Sequence, residues 1–445
     1  MKVDTTKLSK KPEPFKVGKI NLTDVFYAVR SLKEGESVFM DDSSGAFSKD
    51  PDALQSPMEL RIPSIGIYAG EGSSHSWLWA VDTFERYGFD LLYPFSEKEI
   101  HLIPDFEFLF VAGGDTFALA EGLGKDGADE IKKFVKEGGI YLGSCAGAYL
   151  VLYTSKSPLN LFNFVPVQLA NFESELPPVR AMREKAFNRY ACCFIIHPVR
   201  DELIIETSPV PPVFLREKIS APIFGGPVFK EPEGRGRVLA RFSSFTPRTI
   251  FLFDREIAER ILPGKPAIIE WRMGEGGFYL FGPHLEHPSF KSANSVLLKI
   301  IAYNLGKMKK IKSIPHIFFK GFPLKLHEAI KRLVSDIFIK ALSIGDMEAF
   351  WKIGEKYYMP EHILVFARAI HKRMFKRKIF IDKEEIEILK ENLEISRKIL
   401  SEITPSIPEE KVELLIFSLK NALRIFLRSY FRRCENGTHK LSQVS

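Results

Sequence analysis

An α/β fold with a mostly parallel sheet, followed by an all-α helical domain, is what this 445-residue sequence predicts. Three observations predict it. Between residues 60 and 150, short apolar runs alternate with stretches of helical spacing closed by glycine, the pattern of βαβ units with right-handed crossovers. From residue 307 the alternation stops, and apolar residues recur at three- and four-residue intervals, with Pro360, Pro405 and Pro408 at the joints of a helical bundle. Charge changes at the same place: residues 306–445 hold 28 Lys and Arg against 17 Asp and Glu, so within a net charge of +7 the rest is mildly acidic.

The elements follow in order. "NLTDVFYAVRSL" reads as a short helix and "MDDSSGAFSKDPDALQSP" as a loop, together an N-terminal extension over 1–58. "IPSIGIYAG" (62–70) is a buried strand, and "SHSWLWAVDTFERYG" (74–88) a helix stopped by Gly88. "FDLLYPF" and "FEFLFVAGG" (106–114) are further strands, "ADEIKKFVKEGG" a helix, and "IYLGS" the strand after it. Residues 155–230, rich in proline and aromatics, give no clear pattern. "GRVLARFSS", "PAIIEWRM" and "GFYLFGP" (277–283) are strands, "EGRGRVLARF" (233–242) opens on a hairpin turn, and "SANSVLLKIIAYNLG" is a helix closing an α/β domain over 59–305. A basic helical domain over 306–433 then comprises "KLHEAIKRLVSDIFIKALS", "MEAFWKIGEKYY", "PEHILVFARAIHKRMFK", "DKEEIEILKENLEISRKILSEI" and "PEEKVELLIFSLKNALRIFLRSYF", before a disordered tail over 434–445.

With 45% hydrophobic and 27% charged residues, the chain has the composition of a globular protein with ample core. Its polar, basic start lacks the apolar centre of a signal peptide, and no apolar run reaches the roughly 18–20 residues of a bilayer span, which predicts a cytoplasmic protein. Four cysteines, Cys145, Cys192, Cys193 and Cys434, show neither a disulfide framework nor zinc spacing; adjacent Cys192 and Cys193 read as core residues. No P-loop or GxGxxG occurs, and neither cofactor nor metal is expected. In "HKRMFKRKIF" (371–380), Met374, Phe375 and Phe380 are expected to pack while the lysines stay in water, so nucleic acid is not an expected partner. His197, near Asp201, lacks the companions of a metal site.

The chemistry concentrates at "GGIYLGSCAGAYL" (138–150). Cys145 stands between a strand and a helix, with Gly143 and Gly147 two residues to either side, the arrangement a nucleophile elbow needs. A helix N-terminus favours thiolate over thiol, and the Ala146 amide would face an oxyanion. "GPHLEHP" supplies His284 and Glu286 at the end of the last strand; extended residues two apart face one way, so the carboxylate can orient the imidazole. His287 is the second choice of base. In "VAGGDT", Gly113 and Gly114 permit close backbone approach and a second oxyanion donor, with Asp115 as a helix N-cap.

Taken together, "IGIYAGEGSS", "FLFVAGGDTFAL", "IKKFVKEGGIYLGSCAGAYL", "IFGGPVF", "GRVLARF" and "PAIIEWRMGEGGFYLFGPHLEHP" resemble, in that order, the N-terminal domain of eukaryotic-type biotin–protein ligases, within the class I glutamine amidotransferase-like superfamily. The resemblance covers about residues 60–305. It implies a flavodoxin-like sheet and a Cys-His-Glu triad of Cys145, His284 and Glu286. It also implies oxyanion donors at Gly114 and Ala146, with Gly225–Gly226 as a loop near the pocket. Tyr149 stands where the superfamily's glutaminases carry a substrate-binding glutamine, and Leu285 separates His284 from Glu286 where their motif reads His-Pro-Glu. The function expected is a cysteine-dependent hydrolase of a C–N amide bond in a small molecule or peptide. The alternative is a non-catalytic ligand-binding or regulatory module whose helical domain docks a protein partner.

Overall fold

The structure, a computed structural model, describes residues 22–170, 197–308, 324–325, 328–354, 356–376 and 379–432. Cys192, Cys193, Cys434 and the expected tail lie outside the described residues.

Nine strands form the central sheet: β4 (Ile65–Tyr68), β5 (Leu92–Phe95), β6 (Phe108–Val111), β7 (Ile140–Ser144), β8 (Val199–Thr207), β9 (Lys218–Ile223), β10 (Gly236–Phe251), β11 (Pro266–Met273) and β12 (Gly276–Phe281). Their order is β5-β4-β6-β7-β12-β11-β10-β8-β9. The five strands from β5 to β12 are parallel to one another, and β11, β10, β8 and β9 continue the sheet antiparallel. Helices α2 (Trp77–Arg86), α3 (Thr116–Lys136), α4 (Ala146–Leu150), α5 (Arg255–Ile261) and α6 (Lys291–Lys307) complete this part.

The parallel strands are short and apolar throughout because both faces are covered. Alternation sends Ile65, Ile67, Phe108, Phe110, Ile140 and Leu142 into one core, shared with Trp77, Val81 and Phe84 of α2. Their neighbours Tyr68, Leu109, Val111 and Tyr141 enter the other, against Leu119, Leu123, Ile131 and Phe134 of α3. Asp115 caps α3 as expected, accepting from the amides of Phe117 and Ala118. The expected turn before "GRVLARF" is present, with Gly234 at φ +62° ahead of β10.

The N-terminal helix α1 spans Leu22–Lys33. The stretch read as a loop carries a three-stranded sheet of β1 (Phe39–Asp41), β2 (Phe47–Ser48) and β3 (Pro57–Glu59). One buried carboxylate organises it: Asp41 accepts from the amides of Ser43, Ser44, Gln55 and Ser56. Burial opposes the charge, but these bonds prevail and hold Asp41 below the usual carboxylate range.

The C-terminal region has α7 (Glu328–Ser343), α8 (Pro360–Met374), α9 (Lys383–Glu402) and α10 (Glu409–Phe431), with small strands β13 (Leu324–Lys325) and β16 (Phe380–Ile381). One expected helix is absent: "MEAFWKIGEKYY" forms a hairpin of β14 (Trp351–Ile353) and β15 (Lys356–Tyr358). Gly354, at φ +59°, makes the reversal, and buried Trp351 pairs across it with buried Tyr358. The apolar residues of that stretch satisfy period two as well as helical spacing, and the glycine decides between them.

This region packs on the α/β part. Buried Arg373 reaches Asp82 at 2.6 Å and Glu85 at 2.7 Å on α2. Lys372 pairs with Asp82, Lys376 with Glu85, and the Tyr430 hydroxyl donates to Glu85 at 2.7 Å. The basic stretch read as solvated therefore engages acids of the same chain. Phe375, expected to pack, is 61% exposed; Met374 is buried, and the Phe380 side chain lies outside the described residues. No helix among the described residues is long and apolar enough to cross a membrane.

Candidate active site

Parallel pairing brings the chemistry to one sheet edge. The β6–β7 register sets Val111 beside Gly143, and the β7–β12 register sets Ser144 beside Phe281. Cys145, one residue past β7, therefore lies close to Gly113, two past β6, and to His284, three past β12. The Cys145 amide donates to Phe281 O at 3.0 Å, which fixes the elbow to the strand carrying the histidine.

Cys145 is a non-glycine residue at positive φ, 51° with ψ −108°, and is half-buried. Such a backbone costs about 1–3 kcal/mol and persists only where its surroundings enforce it. Close approach explains the flanking glycines: a Cβ at Gly147 would stand 2.0 Å from Val111 O, and one at Gly143 would stand 2.6 Å from Gly147 O. Helix α4 runs only five residues, so the expected helix dipole is small; what remains is the Ala146 amide, which at a first helical position has no intrahelical acceptor.

His284 and Glu286 meet, though not through extended chain. Residues 284–287 form a turn in which the His287 amide donates to His284 O at 3.1 Å. His284 Nδ1 lies 2.7 Å from Glu286 Oε1, and both side chains are buried. That leaves Nε2 on the side of Cys145, which also favours the protonated imidazole. Burial alone would lower the imidazole pKa. The charge of the Glu286 carboxylate, which accepts from Nδ1, and the nearby Cys145 more than offset it and raise His284 to about 10. The arrangement is thus an imidazolium between a buried carboxylate and a cysteine.

Aromatic and imidazole rings enclose it. Trp79 is 5.3 Å and Phe224 5.5 Å from His284, centroid to centroid. His287 packs on Trp79 at 4.4 Å, its Nδ1 accepting from the Ser289 amide; burial and the charge of His284 lower it to about 4, so it stays neutral. His75 also touches Trp79 and stacks at 4.5 Å on His362 of α8. Burial, followed by neighbouring positive charge, holds both below the usual range. The C-terminal region thus borders the site, and a Cβ on Gly354 of its hairpin would lie 3.0 Å from Asp115 Oδ2. Lys420 of α10 is buried and donates to Gly70 O at 2.6 Å and Ser73 O at 3.0 Å, in the loop leading to His75.

Both glycine loops lie near Cys145 and His284. A Cβ on Gly113 would lie 2.9 Å from His284 Cε1 and 3.4 Å from Cys145 Cβ. Gly113 O accepts from Ser74 N, Ser74 Oγ and Ser76 Oγ at 2.9–3.1 Å, which fixes the Gly113–Gly114 peptide and turns the Gly114 amide away from those serines. The Tyr149 hydroxyl donates to Gly225 O at 3.2 Å, and Gly226 packs on Gly282 beside His284. His197 is buried away from this group, its Nδ1 on Val199 O. Trp79, Phe224, His75, His362 and Ser144 were not singled out by sequence reasoning. Of these, Ser144 carries a signal, as a polar residue ending an apolar strand and directly preceding Cys145. Among the described residues, no three His, Cys, Asp or Glu are arranged to hold a metal.

The His284–Glu286 pair makes stability depend on pH. A histidine raised in the folded state contributes stability fully present below its unfolded value near 6.5 and lost as pH rises through about 10. Urea unfolding at pH 6 and pH 10 should show wild type losing more stability across that range than His284→Gln.

The family model described as "Biotin-protein ligase, N terminal" matches residues 103–157, the span holding β6, α3, β7 and the elbow. An uncharacterized peptidase of Listeria monocytogenes is 31% identical over 108 residues, covering 21% of this chain and 52% of that protein. The chain thus spans about half the length of the curated relative it matches. Among solved structures, a GMP synthase-like protein from Thermoplasma acidophilum is 10% identical over 54% of this chain and 94% of its own, with TM-score 0.33. A cold-adapted β-galactosidase from Rahnella sp. R3 is 11% identical over 54% of this chain and 32% of its own, with TM-score 0.31. Superpositions this loose carry no argument about function.

Proposed function

We propose that this protein is a cysteine hydrolase that cleaves a C–N amide bond in a small molecule or peptide. The observation that carries the reading is Cys145 held at positive φ beside an imidazole that a buried carboxylate keeps protonated. The likeness to a peptidase is in keeping with it.

In this reading the Cys145 thiolate forms a bond to the amide carbonyl carbon, and the oxyanion is met by the amides of Ala146 and Gly114. The C–N bond breaks as His284 Nε2 gives its proton to the departing nitrogen. Water then loses a proton to His284 and attacks the thioester, and the C–S bond breaks to release the acid and restore the thiolate beside a protonated His284. Glu286 holds the ring and its charge throughout. Tyr149 and the Gly225–Gly226 loop form one wall of the substrate site, and the hairpin and α8 of the C-terminal region limit its depth. Tyr149, tied to Gly225, supplies no side-chain amide of the kind glutaminases use there, so glutamine is not the substrate this reading favours.

The test is to trap the acyl-enzyme. Wild type incubated with N-acetyl-amino-acid p-nitroanilides should release p-nitroaniline and gain the acyl mass on the peptide containing Cys145. Acylation elsewhere, or none across a panel of amides and activated esters, would contradict the reading.

A further inference from the structure

We propose that Ser144 is a positioning residue that acts on His284 through Glu286, resting on the hydrolase reading above. Glu286 is fully buried, so its carboxylate depends on donors from the protein. His284 Nδ1–H supplies one at 2.7 Å. The Ser144 hydroxyl lies 3.0 Å from Oε1 and 2.9 Å from Oε2, close enough to donate to either oxygen. Thr83 donates to the Glu286 backbone carbonyl at 2.7 Å and does not serve the carboxylate.

Ser144 has one proton to give. Its Oγ is also 3.4 Å from His284 Nδ1, but that nitrogen already directs its hydrogen at Glu286. The serine proton therefore goes to the carboxylate. This accounts for a polar, fully buried side chain at the end of a strand whose other residues, Ile140, Tyr141, Leu142 and Gly143, are apolar or nearly so.

The sign of its effect follows from charge. A donor on Glu286 withdraws negative charge from the side facing the imidazole, and it helps the carboxylate most when His284 is neutral. Ser144 thus holds the Glu286 carboxylate in place while restraining how tightly His284 keeps its proton. A histidine that must release a proton to the leaving nitrogen gains from that restraint. The other groups facing His284 are Cys145, His75 and His287; both histidines are lowered by burial and stay neutral.

The test is the titration of His284 by NMR in full-length protein labelled with 13C-histidine, the resonance assigned by its loss in His284→Gln. Ser144→Ala should move the midpoint upward by about half a pH unit, the share of a charge-assisted hydrogen bond that differs between the two states. Ser144→Cys, of similar shape but a weaker donor, should move it the same way by less, and it serves if the alanine variant does not fold. A purely structural role predicts the opposite sign, because a loosened site lets the imidazole fall toward its free value near 6.5. An unchanged or lowered midpoint overturns the proposal. The titration reads His284 whether or not Cys145 turns over an amide. A shift in a protein that forms no acyl-enzyme would sink the hydrolase reading and leave Ser144's role standing, and the converse result would do the reverse.

Discussion

Cys145→Ala should lower kcat/KM on any amide that acylates wild type by about 10⁴-fold, to the level that binding and an oxyanion hole supply without a nucleophile. The change removes one sulfur from a half-buried position and leaves the strained backbone in place, so stability should move by less than about 1 kcal/mol. A companion variant separates function from fold. Cys145→Gly fits φ 51° without penalty and should stabilise the protein by about 1 kcal/mol in urea unfolding while abolishing turnover. A residue that costs stability where it stands, and whose removal costs only activity, is what an elbow built for chemistry requires. If Cys145→Gly destabilises the fold, the strain is not what the backbone angles imply.

The second large effect concerns the C-terminal region. Arg373 is buried against Asp82 and Glu85, with its Nη1 also donating to Ala369 O at 3.1 Å. Arg373→Ala leaves two partly buried carboxylates short of their main partner, and removing one member of such a cluster costs about 3 kcal/mol. Lys372 and Lys376 remain on the same acids and keep the loss from being larger. Arg373→Lys should recover only part, because a single ammonium cannot bridge two carboxylates and a helix carbonyl as the guanidinium fork does. Urea midpoints of the three proteins check this ordering. Because α8 also carries His362, which stacks on His75 beside Trp79, the same variants should weaken turnover as well as stability.

Much of this was legible in the sequence because the signals were local. Glycines at Gly143 and Gly147 around a cysteine specify the elbow, and apolar runs ending in glycine specify parallel strands buried on both faces. The Cys145–His284–Glu286 grouping was legible for a topological reason: adjacent parallel strands end at one edge. The expected route for His284 and Glu286 was an extended segment, whereas a turn brings them together; offset two satisfies both geometries, so spacing alone does not distinguish them. What the sequence hid was long-range. Nothing local in "MEAFWKIGEKYY" says that Trp351 and Tyr358 will pair across Gly354. Nothing in "HKRMFKRKIF" says that Asp82 and Glu85, some 290 positions earlier, await its cations. His75 and His362 meet only because the two regions pack, so a ring contact bordering the site could not be read from either stretch by itself.

The most direct measurement is the rate of Cys145 alkylation by iodoacetamide at pH 6, in wild type and in His284→Ala. At that pH a free cysteine, with a pKa near 8.5, is almost wholly thiol and reacts slowly. If Cys145 and His284 work as a pair, wild type reacts more than tenfold faster than free cysteine and His284→Ala loses that advantage. Equal, slow rates in both proteins would contradict the account at its centre.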